Sequence, residues 1–137
     1  SDFLVAESVL RTLPGRLQKQ QDAFSQTGGL HASALFDQQG SILSLFEDVG
    51  RHNALDKLIG HELQNNNLPL FQSGLILSGR TSFELIHKAA LAGIPVVVSI
   101  GAPSSLAVDA AWEYEITLAG FLQADRFNIY SFPRRIK

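Results

Sequence analysis

The 137-residue sequence has the length of one average domain, and we expect a single domain over residues 1–137. Eleven Lys and Arg against 13 Asp and Glu give a net charge of −2, which excludes the strongly basic surface of a general nucleic-acid-binding protein. The 45% hydrophobic residues suffice for a core, and no apolar run approaches the roughly 18 residues that cross a membrane. There is no cysteine, which excludes a disulfide framework, a Cys-containing zinc site and a thiol nucleophile within these residues.

The chain begins with a predicted helical region. Apolar residues recur at helical spacing over 3–24, and Pro14 interrupts them, which predicts one broken helix or two. Turn residues at 27–29 end this region. Two short runs, 31–36 and 42–46, with a four-residue turn signal between them, are typical of a β-hairpin.

From residue 50 onward, helical segments alternate with short β-branched runs. The predicted helices cover 51–64, 82–92 and 105–112, and the predicted strands cover 74–78, 96–100 and 115–118. This alternation is typical of βα units around a mostly parallel sheet with helices on both faces. Together with the hairpin, it predicts an α/β fold built as a three-layer α/β/α sandwich. The end of the chain is predicted to hold a turn at 123–125 between two strand-like runs, then a solvated tail at 133–137.

Arg51 and His52 begin the helix 51–64 on its apolar half, as a helical wheel shows. That half also holds Ala54, Leu55, Leu58, Ile59 and Leu63. Asp56 is four residues after His52 and is expected to orient the imidazole. Basic residues where the helix dipole is positive suggest an anionic partner. The alternative is a structural network in which Arg51 and His52 pair with Glu47, Asp48 or Asp56.

Two later strand-to-helix junctions carry turn and capping residues. Thr81-x-x-Glu84 fits a capping box and predicts a helix start at Thr81, directly after Arg80. The junction at 100–105 again ends in hydroxyl residues that can cap a helix. Because the carboxyl ends of parallel strands share one edge of a sheet, we expect all three junctions to converge on a ligand site there. The alternative at each junction is a well-capped helix with a surface arginine. The four histidines show no metal-binding spacing.

Five segments carry a family resemblance: TGGLHASALF (27–36), EDVGRHNALDKLIG (47–60), SGRTSFELIHKAALAGIP (78–95), APSSLAVDAA (102–111) and TLAGFLQADRFNIY (117–130). In this order they resemble the C-terminal half of the FdhD family of formate dehydrogenase accessory sulfurtransferases. The resemblance implies a cytidine-deaminase-like α/β/α fold and a cytoplasmic protein that forms a homodimer. Neither nucleic acid nor a membrane is expected as a partner.

The resemblance also implies a function and a set of contact residues. Family members receive sulfur from a cysteine desulfurase and deliver it to molybdenum bis(molybdopterin guanine dinucleotide), the cofactor of formate dehydrogenase, so GDP is expected to act as a partial mimic. The family's cofactor-contact segment falls on Phe121, Leu122, Gln123, Ala124, Asp125 and Arg126. The cluster that is expected to face the same cleft is Glu47, Asp48, Arg51, His52 and Arg80.

The sequence departs from the family in having no cysteine. The family carries its persulfide on a Cys-x-x-Cys loop upstream of the matched region, and a persulfide needs a thiolate. We therefore expect a C-terminal fragment of a longer protein with no catalytic residue of its own, or else a diverged member that binds the cofactor without transferring sulfur. A non-catalytic docking or nucleotide-binding module that interacts with formate dehydrogenase is the alternative function. Zinc deaminase chemistry is excluded, since it needs Cys ligands and an H-x-E motif.

Overall fold

The structure is a computed structural model, and it describes residues 2–24 and 30–137. Its elements in chain order are α1 (Glu7–Phe24), β1 (His31–Phe36), β2 (Ile42–Asp48), α2 (Arg51–Gln64), β3 (Gly74–Leu77), α3 (Phe83–Leu91), β4 (Val96–Ser99), α4 (Ser105–Glu113), β5 (Thr117–Gly120), β6 (Asn128–Ser131) and a 3₁₀ turn (Pro133–Arg135). The turn at 27–29 that is predicted to end the first helical region lies outside the described residues. Among the described helices, none is long and apolar enough to span a membrane.

The six strands form one sheet in the order β2-β1-β3-β4-β5-β6. Only β3, β4 and β5 pair in parallel, while β1 is antiparallel to both β2 and β3, and β6 is antiparallel to β5. The α/β class and the N-terminal antiparallel hairpin are thus confirmed, but the sheet is mixed rather than mostly parallel. The connections explain the difference, because the short links of β1 to β2 and of β5 to β6 allow only antiparallel neighbours, whereas parallel strands need a helical crossover.

Helices cover both faces of this sheet, since successive strand side chains point to opposite faces. Helices α2, α3 and α4 pack on the face that presents Leu75, Leu77, Val97 and Leu118. Helix α1 and the N-terminal segment pack on the face that presents Ile76, Val96, Val98 and Ala119. The predicted three-layer α/β/α sandwich is confirmed, with three helices on one side and one on the other.

Helix α1 continues through Pro14 instead of breaking there. A proline inside a helix costs about 3 kcal/mol. Leu10, Leu13 and Leu17 lie on both sides of it and are at most 2% exposed, packed on the sheet. Burying a leucine contributes about 1.5–3 kcal/mol, so the three together outweigh the proline and keep one helix.

Helix α2 begins at Arg51 as predicted, but its buried stripe differs from the predicted one near its end. Leu63 is 61% exposed, and Glu62 is buried in its place, accepting hydrogen bonds from Ser44 Oγ at 3.3 Å and Asn67 Nδ2 at 2.6 Å. On the wheel, Glu62 lies about 80° from Ala54, within the stripe, whereas Leu63 lies about 180° away, at its edge. Position on the helix therefore decides burial here, and hydrogen bonds compensate the buried carboxylate.

The chain end at 133–137 is packed, so the predicted solvated tail is wrong. Ile136 forms a parallel bridge with Val5, and Arg135 is only 8% exposed. Its guanidinium donates to the carbonyl oxygen of Glu115 at 2.7 Å and to Thr117 Oγ1 at 3.2 Å. Burial lowers the pKa of Arg135 from its ordinary value, and the charge of Arg134 lowers that pKa further. Long-range contacts that no local pattern encodes hold this segment in place.

Candidate functional site

The predicted strand-to-helix junctions lie along one edge of the sheet. Asp48, the last residue of β2, pairs with the first residue of β1, which is the strand beside β3. Leu77 at the end of β3 pairs with Ser99 at the end of β4. Because β2 runs in the same direction as β3, β4 and β5, the residues after all four strands emerge at the same edge. The predicted convergence of the three junctions is confirmed.

The loops at this edge are packed backbone against backbone, which requires glycine. A Cβ on Gly101 would lie 3.0 Å from the carbonyl oxygen of Gly79 and 3.1 Å from the amide nitrogen of Arg80. A Cβ on Gly120 would lie 2.8 Å from Pro103 Cδ and 3.3 Å from the carbonyl oxygen of Gly101. Real Cβ atoms essentially never show the 2.8 Å distance, and the distances of 3.0–3.3 Å are tighter than nine in ten real Cβ contacts. The glycines therefore bring the ends of β3, β4 and β5 close together.

A pocket of about 260 Å³ lies where the first turns of α2, α3 and α4 meet. Its lining is Arg51, Arg80, Thr81, Ser82, Ala102, Pro103 and Ser104. Ser82 and Ser104 are the N-caps of α3 and α4, and each hydroxyl accepts a hydrogen bond from the backbone N–H of the third residue of its helix. The remaining first-turn N–H groups have no partner within a helix, and the helix dipole is positive there. The pocket is lined by the first residue of α2 and by the N-cap residues of α3 and α4, so positive helix ends lie close to it and suit it to an anion.

Thr81 is not the helix cap that the capping-box pattern predicts; Ser82 takes that position. Thr81 instead forms a parallel bridge with Pro103, in which its N–H donates to the carbonyl of Ala102 at 3.2 Å and its carbonyl accepts from Ser104 N at 2.9 Å. This pairing keeps Thr81 extended, so the helix begins one residue later. Thr81 is 1% exposed, and its Oγ1 has no hydrogen-bond partner among the described residues. A buried hydroxyl in this condition normally has a partner.

The two arginines of the pocket are free of acidic partners within the described part of the chain. Arg51 is half-buried, and its buried Nε has no hydrogen-bond partner there. Arg80 is exposed. The acids proposed for a structural network are engaged elsewhere: Asp48 lies 3.8 Å from Lys57 Nζ, and Glu47 accepts from Gln21 Nε2 at 3.0 Å. The structure therefore favours a site with positive charge over the network.

His52 contacts the cap of the neighbouring helix rather than Asp56. Its Nε2 lies 3.2 Å from Ser82 Oγ. Asp56 forms an ion pair with Lys88 Nζ at 2.8 Å, so the prediction that Asp56 orients the imidazole is wrong. The choice of partner depends on α3, which packs beside α2, and the sequence of α2 alone does not encode it.

The segment 121–126 leaves the same edge after β5. Phe121 N donates to the carbonyl of Gly101 at 3.1 Å and Leu122 N to that of Ser99 at 3.0 Å, which fixes the start of the loop beside the β4 junction. The side chain of Leu122 is buried in the core on the α1 side. Phe121 is 46% exposed, and the four residues after Leu122 are exposed as well: Gln123, Ala124, Asp125 and Arg126. The segment adjoins the pocket edge without lining the pocket, and its cofactor contacts stay a prediction.

Sequence reasoning did not select Thr81, Ser82 or Ser104 as contact residues, although all three line the pocket. The visible signal was a pair of hydroxyl residues ahead of each predicted helix, which the capping rules explain without a ligand. Only the three-dimensional arrangement shows that these caps face one another.

Comparison with known proteins gives the family. The complete chain, residues 1–137, matches the model of the FdhD/NarQ family. The chain belongs to the FdhD/NarQ family. It is 53% identical over 132 residues to the sulfur carrier protein FdhD of Streptomyces coelicolor, covering 96% of this chain and 47% of that protein. It is 44% identical over 136 residues to the FdhD protein of Sulfolobus acidocaldarius, covering 99% and 54%. This FdhD/NarQ chain spans about half the length of these curated relatives.

Solved structures confirm the fold of this FdhD/NarQ member. A putative formate dehydrogenase accessory protein from Desulfotalea psychrophila superposes with a TM-score of 0.87 at 29% identity, covering 100% of this chain and 61% of that one. A guanine deaminase from Nitrosomonas europaea matches with a TM-score of 0.57 at 14% identity, covering 90% and 81%. The second likeness shows the fold alone, and it confirms that the sandwich is deaminase-like.

Proposed function

We propose that this chain is the cofactor-binding part of an FdhD-type sulfur carrier. In this proposal the sulfur travels on a cysteine outside these 137 residues, which contain none, and this chain holds the molybdenum bis(molybdopterin guanine dinucleotide) that accepts it. Membership of the FdhD/NarQ family supports the sulfur-carrier part. The cysteine desulfurase as donor, formate dehydrogenase as client, the homodimer and the cytoplasmic location all belong to the same proposal.

The observation that carries the proposal is the meeting of three helix N-termini with Arg51 and Arg80. This donor set fits phosphate, since backbone N–H groups and guanidinium groups are its usual partners. At about 260 Å³ the pocket is smaller than a typical site for a drug-sized ligand, so it accommodates a phosphate-bearing part and not a whole dinucleotide cofactor. The exposed loop 121–126 at the same edge offers surface for the rest.

A calorimetric titration of the chain with GDP tests the proposal. Arg80→Ala is the sharpest variant, because Arg80 is exposed and its loss leaves the fold intact. A charge-assisted hydrogen bond contributes about 1.5–3 kcal/mol, so we expect GDP affinity to fall by about tenfold or more. Arg126→Ala tests the loop in the same way. The control is Arg11→Ala, since Arg11 lies on α1 across the sheet and, among the described residues, forms an ion pair with Glu7 of its own helix alone.

Absence of GDP binding at millimolar ligand, with the fold intact by circular dichroism, would overturn the proposal. Equal GDP affinity of Arg80→Ala and the wild type would show that GDP does not bind at this pocket. Circular dichroism and a thermal melt of each variant separate lost contacts from lost folding.

Exposed apolar side chains on α3 and α4 favour the docking-module alternative. Phe83, Leu91, Leu106 and Trp112 are between 41% and 75% exposed. A docking module predicts that Leu91→Ser with Leu106→Ser abolishes co-purification with formate dehydrogenase, while the chain binds no GDP. Retained GDP binding in this double variant, with loss in Arg80→Ala, supports the cofactor-binding function instead.

A further inference from the structure

A hydrogen-bonded pair couples two of the helix ends that form the pocket. His52, at the second position of α2, lies with its Nε2 3.2 Å from Ser82 Oγ, the N-cap of α3. The same hydroxyl oxygen accepts from Leu85 N at 3.3 Å, and Ser82 is one of the lining residues of the pocket. Ser82 therefore faces a helix amide, an imidazole and the pocket at once.

Donor and acceptor counting gives this pair two hydrogen-bonding states: Nε2 accepts from the Ser82 hydroxyl in the neutral tautomer protonated at Nδ1, and Nε2–H donates to it both in the neutral tautomer protonated at Nε2 and in the imidazolium. A neutral imidazole has one nitrogen that accepts a hydrogen bond, and Nε2 in that role takes the proton of the Ser82 hydroxyl. An imidazolium has donors only, so Nε2–H then donates to Ser82 Oγ, which already accepts from Leu85 N. In the charged state the Ser82 proton has no protein acceptor at these two partners, and it is free for an oxygen atom in the pocket.

The charges around His52 determine which ligand favours the charged state. On α2 these are Arg51 and Asp56, and on α3 they are Glu84 and Lys88; Asp56 and Lys88 pair with each other at 2.8 Å. Asp48 of β2 pairs with Lys57, and Arg80 of the loop after β3 has no ion pair within the described residues. The pocket beside His52 thus has two guanidinium groups and positive helix ends, and an anion placed there favours an imidazolium.

A second, independent feature indicates that this pocket is built for a ligand. Thr81, at 1% exposure, is one of its lining residues, and the buried Thr81 hydroxyl has no hydrogen-bond partner among the described residues. The buried Nε of Arg51 is in the same condition. Buried groups of this kind are costly unless something completes their bonding.

We propose that the Ser82 hydroxyl is a ligand-binding group of the pocket, that His52 is the positioning residue controlling it, and that the pocket takes up one proton together with a tetrahedral oxyanion. The inference rests on the proposed function for the place and the charge of the ligand. The proton comes from solvent and goes to the His52 imidazole. The Ser82 hydroxyl then turns from His52 Nε2 toward an oxygen of the anion.

Sulfate is the probe, because its charge does not change between about pH 6 and about pH 8, so any pH dependence of its binding comes from the protein. Wild-type affinity for sulfate is expected to be about tenfold higher at the lower pH, within the usual range of coupling between two sites. His52→Gln keeps a hydrogen-bonding side chain that cannot take up a proton, so its affinity is expected to be independent of pH. Ser82→Gly, which as an N-cap costs only a few tenths of a kcal/mol, is expected to bind more weakly and with less pH dependence.

Nuclear magnetic resonance of the imidazole nitrogens gives the direct signature. Sulfate added to the wild type at a fixed pH is expected to increase the doubly protonated fraction in the His52 signals. His87→Gln is the matched control, because His87 lies on the outer side of α3 against Tyr114, away from the pocket. Its sulfate affinity and pH dependence are expected to equal those of the wild type.

The outcomes separate this inference from the function on which it rests. Sulfate binding that depends on Arg80 but not on pH, or a pH dependence that persists in His52→Gln, overturns the inference and leaves the anion pocket standing. Failure of both sulfate and GDP to bind at either pH overturns the inference and the proposed function together. A pH-dependent affinity that both His52→Gln and Ser82→Gly reduce supports the inference.

Discussion

Two buried threonines with opposite bonding give a sharp test of the pocket. Thr81 and Thr117 are 1% and 0% exposed. Thr81 Oγ1 has no partner among the described residues, whereas Thr117 Oγ1 donates to the carbonyl of Phe132 and accepts from Arg135. Valine has nearly the same shape and no hydroxyl. Thr81→Val therefore removes a buried group that lacks a bond, and Thr117→Val breaks bonds that exist.

The two substitutions should have opposite signs. An unsatisfied buried polar group costs about 1–3 kcal/mol, so Thr81→Val is expected to raise the free energy of unfolding by about 1 kcal/mol. Thr117→Val removes the donor to the Phe132 carbonyl and one of the acceptors of Arg135, and it is expected to lower the free energy of unfolding by about 1–3 kcal/mol. Urea denaturation followed by circular dichroism measures both values, with an unchanged m-value as the sign that only stability changed. A change of 1 kcal/mol corresponds to a shift in Tm of about 4 °C for a domain of this size.

Two results would refute the reasoning. If Thr81→Val lowers the free energy of unfolding by about 1 kcal/mol or more, the Thr81 hydroxyl has a hydrogen-bond partner in the folded protein and does not need a ligand to satisfy it. Similar shifts of one sign in both variants mean that the difference in bonding does not control stability. If Thr81→Val is more stable than the wild type and also binds sulfate more weakly, the Thr81 hydroxyl contributes to ligand binding and lowers the stability of the fold without ligand.

Three further predictions concern the scaffold. Gly101→Ala places a Cβ 3.0 Å from backbone atoms of the neighbouring loop, so it is expected to lower the free energy of unfolding by about 1–3 kcal/mol and to weaken GDP binding. Its control, Gly15→Ala, has open space around it inside α1 and is expected to raise the free energy of unfolding by about 0.5–1 kcal/mol. Equal effects of the two substitutions in urea denaturation would contradict the packing argument. Arg135→Ala is expected to lower the free energy of unfolding by about 2 kcal/mol, because it removes hydrogen bonds that hold the chain end against the sheet. A thermal melt equal to that of the wild type would show that this side chain does not anchor the chain end. Asp56→Asn is expected to lower the free energy of unfolding by at most about 1 kcal/mol in low salt and by less in high salt, because the ion pair of Asp56 with Lys88 is partly exposed. A loss of stability that does not depend on salt would mean that the carboxylate has another role.

The sequence predicts those parts of the fold that depend on neighbouring residues. The start of α2 at Arg51, the hairpin and the alternation of strands with helices follow from local periodicity and turn residues, and the structure has them. Features set by partners distant in the chain were predicted wrongly. Because Thr81 forms a bridge with Pro103, Ser82 is the N-cap of α3. Asp56 forms an ion pair with Lys88 of α3 and not with His52. Both errors fall at the candidate site, where three segments from different parts of the chain meet.

The distribution of unsatisfied groups links the stability of this fold to its proposed function. Within the described residues, five buried side-chain atoms lack a hydrogen-bond partner, and two of them, on Thr81 and Arg51, belong to the pocket lining. Such groups are costly to a fold that is stable by only about 5–15 kcal/mol. In the proposed function, an oxyanion that accepts from the guanidinium and from the hydroxyl offsets that cost on binding. The protein without ligand is then less stable than its core allows, and its Tm should rise with sulfate or GDP by more in the wild type than in Thr81→Val.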